Sequence, residues 1–87
     1  MGRRPGSDTA LAKARARPRT WGEAREILLR ERGVSLAQIA RAVGKDLSSA
    51  SRVNRGQRRS RVIEQAIAHR LGLSLSDAFP EWRHRQT

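Results

Sequence analysis

Between positions 35 and 56 the chain reads SLAQIARAVGKDLSSASRVNRG, and the spacing of its small and apolar residues admits few backbone arrangements. Ile39 and Ala40 fall on the inner face of one short helix, and Ala50 and Val53 on the inner face of a second. Gly44 follows Ala40 by four positions and can take the positive φ of a sharp helix exit, while Ala40 adds no bulk where two helices must cross closely. Gly56 ends the second helix. That helix is left with Leu47, Ser48, Ser51, Arg52 and Arg55 on its outer face.

The punctuation around this unit is regular. Thr20 with Glu23, and Ser35 with Gln38, have the form of capping boxes, in which each side chain satisfies a free N–H at a helix start. Asp46, Ser60 and Ser74 are single caps, and Gly33, Gly44, Gly56 and Gly72 each follow a helical stretch. Five helices are predicted, at 21–32, 36–43, 47–55, 61–71 and 75–79, with no run of β period. Their 3.6-residue pattern predicts a core of Trp21, Ala24, Ile27, Leu28, Leu36, Ile39, Ala40, Val43, Ala50, Val53, Val62, Ile63, Ala66, Ile67, Leu71, Leu73, Leu75 and Phe79. Phe79 is expected to fold back over the fourth helix, with Trp82 finishing the core or joining a dimer contact. His69 reads as a surface or half-buried residue. The fold class is all-α, with residues 1–19 a flexible basic arm, 20–83 the domain and 84–87 a C-terminal tail. Pro5, Pro18, Gly2 and Gly6 interrupt the arm, which offers little apolar surface beyond Leu11.

Charge directs attention to the partner. Lys and Arg number 19 against 8 acids, a formal net charge of +11, and all but Lys13 and Lys45 of these cations are arginine. Arginine favours planar, bidentate acceptors such as phosphate and guanine edges, so nucleic acid leads an anionic membrane or an acidic protein as partner. The 87-residue chain holds no cysteine, which excludes disulfides, thiol catalysis and cysteine-ligated zinc. His69 and His84 are too few for a metal site, so no metal or cofactor is expected. Glu23, Glu26, Glu31 and Glu64 fall at helix-surface spacing without a His or Cys beside them, which argues against an enzyme. With no apolar run near the roughly 20 residues needed to span a bilayer, and no signal segment, a soluble cytoplasmic, nucleoid-associated protein is expected.

The pattern Ala40-x3-Gly44-x5-Ala50-x2-Val53-x2-Gly56 resembles the helix-turn-helix of phage-repressor-like proteins. Trp21, the Ser35-Leu36 opening, the helix at 63–71 and the Phe79-Pro80 tail extend the resemblance, over residues 21–82, to the Ner-like (Nlp) regulators. These are small phage and bacterial transcription factors that bind operator DNA. The resemblance implies a five-helix repressor-like domain that binds double-stranded DNA as a homodimer, on half-sites about 34 Å apart. In such a unit the second helix enters the major groove. Leu47, Ser48, Ser51, Arg52 and Arg55 then face bases, with Arg52 the candidate for a bidentate guanine contact. Ser35, Gln38, Lys45, Arg58, Arg59 and Arg61 are candidates for phosphates; no acid lies between Asp46 and Glu64 to dilute that charge. Arg15, Arg17 and Arg19 are candidates for a minor groove or for phosphates.

Other readings use the same residues. A nucleoid-type architectural protein would need the arginines without base preference. A co-regulator would dock on RNA polymerase or a sigma factor through the tail and survive loss of Arg52. An RNA-binding role is weakened by the scarcity of aromatic platforms.

Overall fold

The computed structural model describes Leu11 and residues 20–85. Leu11 is helical and buried; the remainder of the expected arm lies outside the described residues. Five helices follow: α1 (Trp21–Glu31), α2 (Leu36–Ala42), α3 (Leu47–Asn54), α4 (Arg61–Leu71) and α5 (Leu75–Ala78). A 3-10 helix, Pro80–Arg85, comes after them, beyond the last helix that the sequence pattern predicts and across the predicted domain boundary at 83. Among the described residues no strand forms.

Each helix starts where a short side chain can close it. The Thr20–Glu23 box is made in both directions, at 3.0 and 3.1 Å, and so is the Ser35–Gln38 box, at 2.8 and 3.1 Å. Asp46, Ser60 and Ser74 accept from the backbone N–H of Ser49, Ile63 and Asp77. Each such cap is worth about 1 kcal/mol in general, enough to fix the start of helices too short to persist alone. At the other end of α2, Gly44 stands at φ 73°, where Lys45 N–H reaches back to Ala40 O at 2.8 Å. That bond consumes a terminal carbonyl and turns the chain sharply into α3. The predicted boundaries hold to within one residue.

The core lies where α2 crosses α3, with α4 packed against both, α1 against α4 and α5 folded onto α4. Leu29, Ile39, Ala40, Ala50, Val53, Ile63, Ile67, Ala68, Leu71, Ala78 and Phe79 form one cluster. Phe79 is 2 % exposed, as expected of a residue that closes the core from the tail. Three expectations need correction. Val62 is 50 % exposed, because α4 turns Ile63 and Ile67 inward and one position's offset carries Val62 to solvent. Trp21 and Ile27 are half-buried and outside the cluster, while Leu29 takes the inner place on α1. Glu64 is 2 % exposed rather than on the surface, held by Arg59 Nε at 3.0 Å and by the Ser60 N–H at 3.1 Å.

Gly22 sets the distance between α1 and the end of α3. A Cβ there would lie 2.8 Å from Asn54 O and 3.2 Å from Arg55 Cα, so the two backbones meet where only hydrogen fits.

Candidate nucleic-acid interface

Helix α3 gains its outward face by committing its inward one. Ala50, Val53 and Asn54 are buried against the core, which leaves Leu47, Ser48 and Arg52 in solvent and Arg55 exposed as the C-cap. Leu47 is 52 % exposed. Ser51 is half-buried, so it stands at the edge of this face. Lys45, in the turn before α3, is exposed as well.

The start of α3 is tied to the loop beyond its end. Asp46 accepts the Ser49 N–H at 2.9 Å, and Ser49 Oγ accepts from Arg58 Nη1 at 3.2 Å. The hydrogen bonds from Ser49 hold the Asp46 carboxyl below the usual carboxylate range, and the positive charge of Arg58 adds to this. Arg58 therefore reaches back to the first turn of α3 while remaining exposed to solvent. Arg61 is exposed at the first position of α4.

Ser35 and Gln38 spend their acceptor atoms on the capping box of α2. What they retain are donors, the serine hydroxyl proton and the glutamine amide N–H, which suit a phosphate oxygen. Beside them lies an open cleft of about 310 Å³ lined by Glu26, Leu29, Arg30, Val34, Ser35, Leu36, Ala37 and Leu47. It brings Arg30, on α1, next to the starts of α2 and α3, a placement that sequence periodicity did not reveal. Arg15, Arg17 and Arg19 lie outside the described residues.

One cation of α1 is buried. Arg25 is 0 % exposed and bonds Asn54 Oδ1 at 3.1 Å, Asn54 O at 2.5 Å and Ala78 O at 2.8 Å. Glu81 binds it with both carboxylate oxygens, at 2.9 and 2.6 Å, and the Phe79 ring centroid lies 3.9 Å from its Cζ. Asn54 in turn donates to Gly22 O and Glu26 Oε2, at 3.0 and 3.3 Å. One guanidinium thus joins α1, the end of α3 and the tail, and a planar fork with five N–H groups is the side chain suited to do so. In the sequence Arg25 sits beside Ala24 and three and four residues before Leu28 and Leu29, on the inward stripe of α1. That spacing was the available signal, though its partner Glu81 stands 56 positions away.

Two capped helices in close crossing, with an exposed arginine and serine face on the second and cations at both its ends, define a DNA-binding helix-turn-helix domain. No helix among the described residues is long and apolar enough to cross a membrane, and none of them form a group of three or more His, Cys, Asp or Glu able to hold a metal. The sequence model for winged helix-turn-helix DNA-binding domains matches residues 21–87, and the chain belongs to that family. The match covers all five helices and the 3-10 helix. No curated protein and no solved structure matches the chain. Double-stranded DNA is accordingly its partner.

Proposed function

We propose that this protein is a sequence-specific transcriptional regulator of the Ner-like kind, a bacterial or phage DNA-binding protein without enzymatic activity that reads the major groove with α3. The observation that carries this reading is the exposure of Leu47, Ser48, Arg52 and Arg55 along one side of a helix whose other side is locked into the core. Arg52 offers a fork to guanine O6 and N7. Leu47 offers an apolar contact to a thymine methyl, and Ser48 and Ser51 add weaker polar contacts. Arg55 stands at the end of this face.

Phosphate contacts flank the bases. Ser35, Gln38 and Lys45 meet one strand at the start of α2 and in the turn, and Arg58, Arg59 and Arg61 meet the backbone beyond α3. Arg15, Arg17 and Arg19 add attraction from ahead of α1. The protein acts in the cytoplasm on the nucleoid, as a homodimer on a two-fold operator.

Selection of bound sequences from a random duplex pool at about 150 mM salt, near physiological strength, tests this with the native chain and Arg52→Ala. A two-fold motif that blurs at one base in the variant is the expected result. A featureless pool from both proteins overturns sequence-specific regulation in favour of architectural binding or of a co-regulator that docks on RNA polymerase or a sigma factor.

A further inference from the structure

The cluster around Arg25 continues past the core into the arginine-rich loop, and the link is the 3-10 helix. We propose that Trp82, seated by the Arg25–Glu81 pair, is a positioning residue for DNA binding that orients Arg59 toward a phosphate before DNA arrives. This rests on the duplex-reading function above.

Both carboxylate oxygens of Glu81 are taken by Arg25, which fixes the first turn of the 3-10 helix and therefore the residue after it. The same tail sits on the residue that closes α3. A Cβ on Gly56 would meet Glu81 Oε2 at 3.4 Å and the Trp82 ring at 4.0 Å. From this seat the Trp82 ring centroid lies 4.3 Å from Arg59 Cζ, covering one face of the guanidinium. Glu64 Oε2 holds Arg59 Nε at 3.0 Å and the Ser60 N–H at 3.1 Å, so one acid fixes both the arginine and the start of α4.

Arg59 is thus held by a ring on one face and a carboxylate at Nε, yet its side chain is 50 % exposed. An arginine in water loses much rotamer freedom when it grips a phosphate, and one already held in place loses less. Arg55, Arg58 and Arg61 stand nearby in sequence and carry like charge. Without Trp82 only the single Glu64 contact at Nε would hold Arg59 against their repulsion, and the rest of the guanidinium would be free to swing.

Replacing Trp82 changes no charge, so the salt dependence of binding separates positioning from bulk electrostatics and from stability. The full chain, Trp82→Ala and Trp82→Phe are titrated with duplex over a range of salt, and amide exchange of residues 57–60 is followed in the free proteins. Trp82→Ala should bind about tenfold more weakly, and its salt slope should flatten by about 0.9, the value for one phosphate no longer neutralised. Its loop amides should exchange faster while those of α3 keep their protection. Trp82→Phe, which retains a ring for the cation, should restore most of the slope.

Weaker binding with the wild-type slope would reduce Trp82 to a stability role, and a steeper slope would mean that it withholds Arg59 from DNA; either result overturns the proposal. Unchanged loop exchange in Trp82→Ala overturns it whatever the DNA result. Failure of the wild-type chain to bind any duplex would instead overturn the function itself.

Discussion

Arg25 and Arg52 are the same residue in opposite surroundings. Arg25 is wholly buried, with its guanidinium answered by Asn54, Ala78, Glu81 and Phe79, all within the chain. Arg52 stands in water on the outer face of α3. A buried charge must be matched internally or the fold suffers, whereas an exposed one is free to take its complement from another molecule. The +11 formal charge therefore overstates what faces a ligand. Arg25 contributes nothing to the surface.

The largest effect should come from the buried side. Arg25→Ala strands Glu81 and the Asn54 and Ala78 carbonyls, and should cost about 3–5 kcal/mol of unfolding free energy, the range for breaking one partner of a buried pair. Urea unfolding followed by circular dichroism measures it. A loss under about 1 kcal/mol, the scale of a surface pair, would erase the distinction between the two arginines. Gly22→Ala probes the same junction without touching charge. Its Cβ would press on Asn54 O, and a cost of about 1–3 kcal/mol is expected, as for other overpacked sites.

On the exposed side the signs reverse. Arg52→Ala should leave unfolding within about 0.5 kcal/mol of wild type. It should lower affinity for the preferred duplex by about 1–3 kcal/mol, with far less change on unrelated sequence. Equal losses on both duplexes would make Arg52 a phosphate ligand rather than a base reader.

The smallest effect belongs to Asp46. Its carboxyl is held below the ordinary value of 3.8 in the folded chain, so its contribution to stability is present above that value and is lost as pH falls through the lowered one. Asp46→Asn should melt slightly below wild type at neutral pH, and the gap should close in acid. A gap independent of pH would mean that the charge is immaterial to the cap.

How far the sequence reached follows the range of the forces involved. The caps at Thr20, Ser35, Asp46, Ser60 and Ser74, and the exit at Gly44, depend on atoms within a few residues and were readable in place. The inner faces of α2 and α3 were readable from period alone, and with them the outward set that carries Arg52. Arg25 was not, because its burial is tolerable only once Glu81 arrives from the far end of the domain, and periodicity treats an isolated arginine as solvent-facing. Val62 failed for the opposite reason. A run of apolar residues at 62 and 63 leaves open which one faces inward, and packing against α2 and α3 chose Ile63. Glu64 was misplaced with it, since its burial depends on Arg59 in the preceding loop.

The 56-residue separation between Arg25 and Glu81 also bears on how the domain assembles. Helices with their own start and stop signals need only neighbouring residues and form early, while closing a long loop carries an entropic cost that only distant contacts repay. The guanidinium–carboxylate pair therefore acts as the clasp of a ring, fastened after the helices have gathered. Its strength should appear mainly in the rate of unfolding and little in the rate of folding. The tail should therefore release first, taking Phe79 out of the core and freeing the end of α3 from its anchorage before the helices themselves part.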